Sequence, residues 1–171
     1  TSDAVCITAK RASEAFGESD QLFPVVARTE GAFDTHWRTD LRFLNAGLQS
    51  QGAVLTLSAL GGEHTASINL AAGNMRAIHD VISTLFPAGT GNLAGALRVR
   101  SPQGLLLAGR IYNDQGAEGT YGQFLPGAGS DDMLAPGDEG VLLHLASTES
   151  VRCNVGFTDF GGAGAGVQVP L

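Results

Sequence analysis

The sequence predicts an all-β protein, an antiparallel β-sandwich of jelly-roll-like type with about ten strands, one short amphipathic helix and an N-terminal strand arm. Three observations carry that prediction. Short apolar runs recur along the chain, separated by Gly, Pro and Asx clusters that supply the backbone angles of tight turns. The 24 glycines are scattered without a collagen period, which makes them turn residues. A segment also occurs twice: Trp37-Arg38-Thr39-Asp40-Leu41-Arg42-Phe43-Leu44-Asn45 followed by Ala53-Val54-Leu55-Thr56-Leu57 is echoed by Val151-Arg152-Cys153-Asn154-Val155-Gly156-Phe157-Thr158-Asp159 and then Val167-Gln168-Val169-Pro170-Leu171. Both copies read as strand, Gly-rich turn, strand. A duplicated β-hairpin is information about architecture, because catalytic groups seldom come in matched copies.

At 171 residues one domain is expected. Residues 1–21 read as an arm and linker, with Ala4-Val5-Cys6-Ile7-Thr8-Ala9 β-prone and the following dozen residues a polar connector; residues 22–171 read as the sandwich domain. Its predicted strands are 23–28, 37–44, 53–60, 65–70, 96–100, 105–112, 122–125, 141–146, 152–160 and 167–171. Between them stand Gly61-Gly62, Pro102-Gln103-Gly104, Asn113-Asp114-Gln115-Gly116, Pro126-Gly127 and Pro136-Gly137-Asp138. One helix is predicted over 74–86, where Met75, Ile78, Val81, Ile82 and Leu85 recur at spacings of three and four, with Asn74 as N-cap and Pro87 as the stop. A single helix among strands is expected to plug an open end of the sandwich.

Ten basic residues against seventeen acidic ones give a net charge of −7, which repels nucleic-acid phosphates and anionic lipid, so no nucleic-acid partner is expected. No run approaches the ~18 apolar residues of a membrane helix, so no membrane insertion is expected, and the start at Thr1 reads as a trimmed chain. Cys6 and Cys153 lack the spacing of a redox pair or a zinc knuckle; they read as a disulfide, with two free thiols as the alternative, and a disulfide implies export.

Phe23-Pro24-Val25-Val26-Ala27, Trp37-Arg38-Thr39-Asp40-Leu41 with Asn45, Gly109-Arg110-Ile111-Tyr112-Asn113, Gly119-Thr120-Tyr121-Gly122-Gln123-Phe124 and Arg152-Cys153-Asn154-Val155-Gly156-Phe157 follow one another in an order that resembles a group of secreted bacterial β-sandwich modules. The resemblance covers residues 22–171 and implies the fold and an extracellular or cell-surface location. It implies no settled activity. The chain departs from those modules in placing Cys153 where they commonly show Thr, and in the arm, which lies outside the match and contains Cys6.

Those two departures point to an arm joined to the last hairpin. A twelve-residue linker spans at most about 40 Å, enough to return to its own domain or to cross to a neighbour. With the final strand ending at Leu171, an unpaired edge is expected there. The reading preferred here is an extracellular structural subunit that self-assembles head to tail, as a filament or surface layer, with Val5 and Ile7 of the arm entering a neighbour and Cys6 bonded to Cys153 as the lock. The alternative from a different class is a monomeric secreted carbohydrate- or calcium-dependent binding or adhesion module. Its candidate ligand face is Trp37 with Asp114, Glu118, Asp131 and Asp132.

Other patterns point away from chemistry. Arg38 and Asp40, two apart on a strand, share a face and are expected to form a polar ladder, as are Arg152 and Asn154. His36, His64, His79 and His144 have no metal-ligand spacing, so no metal or cofactor is expected. No G-x-S-x-G elbow occurs, and the Gly161 to Gly166 run lacks the Lys-Ser/Thr of a phosphate loop. An enzyme is not expected.

Overall fold

The computed structural model describes residues 19–87, 91–102, 104–135, 137–141 and 156–159. Eight strands and one helix follow in the order β1 (Ser19–Gly31), β2 (Thr35–Leu44), β3 (Gln51–Ala59), β4 (Gly62–Leu70), β5 (Met75–Ile78), α1 (Val81–Leu85), β6 (Leu93–Ser101), β7 (Leu106–Asp114) and β8 (Thr120–Pro126). They form an antiparallel sheet in the order β4-β3-β6-β1-β2-β7-β8, with β5 attached to β2. The all-β class with one short helix therefore holds. The described strands make one continuous eight-stranded sheet, where about ten strands in a two-sheet sandwich are predicted from sequence.

Continuity comes from β1. Its first part pairs with β6 from Ser19↔Ser101 to Arg28↔Leu93, and its end pairs with β2 at Thr29↔Trp37, Glu30↔His36 and Gly31↔Thr35. The register with β6 shifts between Phe23 and Val26, a bulge that contains Pro24. Proline has no N–H to give a ladder, so a bulge is a position where it costs no pairing. Opposite the far side of the bulge stands Gly95, paired with Val26 and Ala59. A Cβ there would lie 2.2 Å from the Ser58 carbonyl oxygen, so only glycine permits this backbone approach.

Two-residue alternation fills the core. Along β3, Ala53, Leu55 and Leu57 are buried while Val54, Thr56 and Ser58 are not. Phe23 and Val26 of β1, Leu41 and Phe43 of β2, Leu97 and Val99 of β6, Ile111 of β7 and Leu125 of β8 join them in one cluster. Gly109 leaves room for it, since a Cβ would sit 3.0 Å from the Phe23 ring and 3.2 Å from a Leu41 methyl.

Two predicted elements are corrected. The helix over 74–86 is a strand and a helix: Met75–Ile78 pairs with Leu41–Leu44 of β2, and only Val81–Leu85 is helical. The edge of β2 that β1 abandons needs hydrogen-bond partners, and this demand overrides the helical spacing of the apolar residues. Met75 is accordingly exposed, while Ile78, Val81 and Ile82 are buried, and Asp80 caps α1 in place of Asn74. The first copy of the repeat is not a hairpin. β2 and β3 do not pair but are separated in the sheet by β1 and β6. Of the second copy, residues 156–159 are described and carry no regular structure; strands 141–146 and 167–171 fall, apart from Val141, outside the described residues.

The crossover from β2 to β3 is pinned by Asn45, which is fully buried. Its Nδ2 donates to the carbonyls of Gln49 (2.8 Å), Leu70 (3.2 Å) and Ala71 (3.2 Å), and its Oδ1 accepts from Gly47 N (2.9 Å) and Gln51 Nε2 (2.8 Å). Gln51 Oε1 in turn accepts from Ser101 Oγ at 3.1 Å. Asn45→Ala strands these groups and is expected to cost about 3 kcal/mol by urea denaturation. Asn45→Asp is expected to be no better, because it turns a carboxylate oxygen toward the three carbonyls.

At the far end of the same half, Asp20 accepts from Arg98 Nε at 2.7 Å and from Arg100 Nε at 3.3 Å. The Arg98 hydrogen bond outweighs burial and holds the Asp20 carboxyl below its usual range. A depressed folded pKa adds stability above the unfolded value of about 3.9, and that contribution is lost as pH falls through the folded value. Asp20→Asn is therefore expected to lower stability at pH 7 and to lose the difference from wild type as pH falls through the depressed folded value of Asp20, as read from urea midpoints across pH.

Candidate functional site

The side chains of β2 that point away from the core are His36, Arg38, Asp40 and Arg42, alternating with Trp37, Thr39, Leu41 and Phe43. Beside them the register sets Tyr112 opposite Arg38, Arg110 opposite Asp40 and Ala108 opposite Arg42. On β8, Gly122 faces Tyr112, Phe124 faces Arg110 and Pro126 faces Ala108. Three of the sequence motifs, around Trp37, Gly109 and Gly119, are thus adjacent strands of one polar face.

Asp40 organises this face. Its side chain is largely buried, and Oδ1 accepts from the Tyr112 hydroxyl at 3.1 Å and the Asp80 backbone N–H at 3.0 Å. Oδ2 lies 2.9 Å from His79 Nδ1 and 3.8 Å from Arg42 Nη2. Burial and the Asp40 charge raise the Tyr112 pKa, so its hydroxyl stays protonated and donates. Asp80 adopts a left-handed conformation (φ 43°), pairs with Arg28 and lies 3.8 Å from Arg38 Nε. Beyond it, Glu30 accepts from Arg38 Nη2 at 3.2 Å and is paired with His36. Desolvation pulls the Glu30 carboxyl upward, but Arg38 and His36 together hold it below its ordinary value.

The expected Arg38 and Asp40 ladder is therefore present and wider than two residues. Arg42, Tyr112, Arg110, His79 and Asp80 belong to it, and the alternation Arg38, Asp40, Arg42 beside Arg110, Tyr112 is the signal that marks them. Asp40 and His79 form a carboxylate–imidazole pair. Among the described residues no hydroxyl or thiol is hydrogen-bonded to that imidazole, so no nucleophilic triad is completed.

A depression of about 220 Å³ opens in this face, lined by Asp40, Arg42, Ala108, Gly109, Arg110 and Phe124. It exists because Ala108 and Gly109 are short where their neighbours are long. Arg110 Nη2 donates to Thr120 Oγ1 (2.7 Å) and O (3.3 Å), and its guanidinium carbon stands 4.8 Å from the Tyr112 ring centre.

The candidate ligand face read from the sequence does not assemble. Trp37 is half-buried and packs against the core, which removes it as a free stacking platform. Asp114 accepts from Gly116 N at 3.0 Å in the turn between β7 and β8, and Glu118 is exposed in the same turn. Asp131 and Asp132 lie beyond the other end of β8, where Asp132 accepts from Gly129 N at 2.8 Å. The seven residues of β8 span about 20 Å between the two sets, too far for one calcium ion to bridge. No group of three or more His, Cys, Asp or Glu side chains placed to hold a metal occurs among the described residues. Val5, Cys6, Ile7 and Cys153 lie outside the described residues.

These features define an all-β domain built on one antiparallel sheet with a polar outer face. No protein-family model matches the chain, and the curated proteins offer no match. Among solved structures, the crystal structure of Thermotoga maritima 1070 is similar to it, with a TM-score of 0.53 at 10% identity over 67% of this chain and 96% of that one. At that identity the likeness is one of fold alone.

Asp40→Ala leaves the Tyr112 hydroxyl and the Asp80 N–H without their acceptor and is expected to destabilise the protein by about 2–3 kcal/mol. Tyr112→Phe, which removes one donor and leaves the carboxylate its other partners, is expected to cost about 1 kcal/mol; thermal and urea unfolding of both variants check the ranking.

Proposed function

We propose that the protein is an extracellular structural subunit that self-assembles by strand addition, folded as a β-sandwich whose β4-β3-β6 and β2-β7-β8 halves face each other across the shared core. Leu55, Leu57, Leu97 and Val99 from one half and Leu41, Phe43, Ile111 and Leu125 from the other support that face-to-face reading, since all belong to one buried cluster. The observation that carries the assembly reading is the edge of β8. Along its length this strand pairs with β7 alone among the described residues, and Tyr121 and Phe124 are exposed on it.

Edges are normally blunted by charge. β4, the opposite edge, carries Glu63 and His64, whereas Thr120 to Leu125 contains no charged residue. An uncharged, aromatic edge of seven residues matches the six-residue apolar arm Ala4 to Ala9 in length. Strand addition at β8 would give partners to the outer-edge backbone groups that the described residues leave unpaired, with Val5 and Ile7 on one face of the added strand and a Cys6–Cys153 bond securing the joint. The subunit then has one donor and one acceptor end, the arrangement that propagates head to tail.

Negative-stain microscopy of unreduced protein, beside a non-reducing gel, tests the reading. Filaments with a reductant-sensitive ladder are expected. Val5→Asp, which places a charge in the added strand, is expected to abolish them while circular dichroism keeps its β-sheet signature. Monodisperse native particles that migrate as monomer, or intact filaments from Val5→Asp, defeat the proposal.

A further inference from the structure

We infer that the depression between β2, β7 and β8 binds a carboxylated pyranose, a hexuronate-like sugar, held at its carboxylate by Arg42 and Arg110 and at its ring by Phe124. Charge is the first argument. The lining holds two guanidinium groups and one carboxylate in a protein whose net charge is −7, so it is a local cationic spot on an acidic molecule. Asp40 does not cancel both arginines, because one carboxylate stands against two guanidinium groups and the one it pairs with is Arg42, at 3.8 Å. Arg42 Nη1 donates to the Leu41 carbonyl at 3.1 Å and Arg110 Nη2 to Thr120. The Nε groups of both side chains and Nη1 of Arg110 have no hydrogen-bond partner among the described residues.

Spacing is the second argument. Arg42 stands opposite Ala108, two positions from Arg110 on the same strand and the same face. Diagonal neighbours of this kind have Cα atoms about 7–8 Å apart, a gap across which two long guanidinium side chains converge on one planar anion. Shape is the third. Phe124 is 41% exposed directly beside Arg110, offering an aromatic face at the rim. A volume of about 220 Å³ is below the roughly 300–1,000 Å³ of sites that enclose drug-sized ligands, which suits a single ring. Of the Asp40 oxygens in the lining, Oδ1 already accepts two hydrogen bonds, which leaves Oδ2 to accept from a ring hydroxyl. The inference is independent of polymerisation, since it uses residues of one subunit.

Isothermal titration and saturation-transfer NMR with glucuronate, glucose and inorganic phosphate test it on the full chain. Saturable glucuronate binding is expected, at least about tenfold tighter than glucose and phosphate and weakened by salt. Arg42→Gln and Arg110→Gln are each expected to erase the preference for glucuronate over glucose, and Phe124→Ala to weaken both sugars. Arg76→Gln, on exposed β5, is expected to leave binding unchanged. Circular dichroism and urea midpoints confirm that each variant is folded, and Arg42→Lys, which keeps the charge without the planar fork, is expected to fall between wild type and Arg42→Gln. The inference is overturned if glucuronate does not bind, if glucose or phosphate binds as tightly, or if folded Arg42 and Arg110 variants keep the wild-type preference.

Discussion

A parting between two neighbouring strands governs the outer half of this sheet. β1 and β2 leave their turn as a hairpin, pair at three positions and then separate, because β1 swings across to β6. Every backbone group exposed by that separation must find another partner. Thr39 sits in the split, where its hydroxyl accepts from Ala27 N at 2.9 Å and donates to Ala27 O at 3.3 Å. Further along, β5 takes the vacated edge of β2, and the corner that follows it is drawn in by Asp40, which accepts the Asp80 N–H. The polar face is thus a repair of the sheet, and a depression lined by Arg42 and Arg110 lies on it.

Much of the strand pattern was legible because half-buried strands alternate visibly: Ala53, Leu55, Leu57 and Leu41, Phe43 announce their own faces. What alternation does not encode is which strand lies beside which. The stretch from Trp37 to Leu57 reads as a hairpin because two strand-like runs flank a Gly-containing turn, yet the intervening Asn45 carries the chain to the other half of the sheet. That role depends on carbonyls at Leu70 and Ala71, beyond any local window. The 74–86 segment failed differently. Its apolar residues do face inward from Ile78 onward, but a four-residue strand and a five-residue helix joined at a left-handed Asp80 mimic the spacing of one longer helix.

The candidate site was legible in fragments. Arg38 and Asp40 were assigned to one face from period alone, and that assignment extends to Arg42. Their partners on β7 and β8 come from about 70 residues further along the chain, so only the register reveals them. The acidic loops misled because sequence proximity to turns says nothing about which end of a strand each turn occupies. Apart from His36, which pairs with Glu30, arginine is the partner of each carboxylate paired to a described strand, as at Arg28, Arg38, Arg42, Arg98 and Arg100. A rigid, forked guanidinium suits such pairing better than a flexible ammonium, and Arg98 shows it by meeting both oxygens of Asp20.

The pairing of β1 with β6 also sets a clock. Asp20 and Arg98 meet although they stand 78 positions apart in the chain, and Leu22 further exchanges two 2.8 Å backbone hydrogen bonds with Ala128. At a synthesis rate of about 5–20 residues per second, β1 waits roughly 4 to 16 s for its main partner to be made. Through that interval Leu22, Phe23 and Val26, all destined for the interior, have no sheet to enter. β1, the first of the described strands to emerge, is among the last of them to be completed, so the nascent chain presents an apolar strand to any holdase that meets it before β6 does.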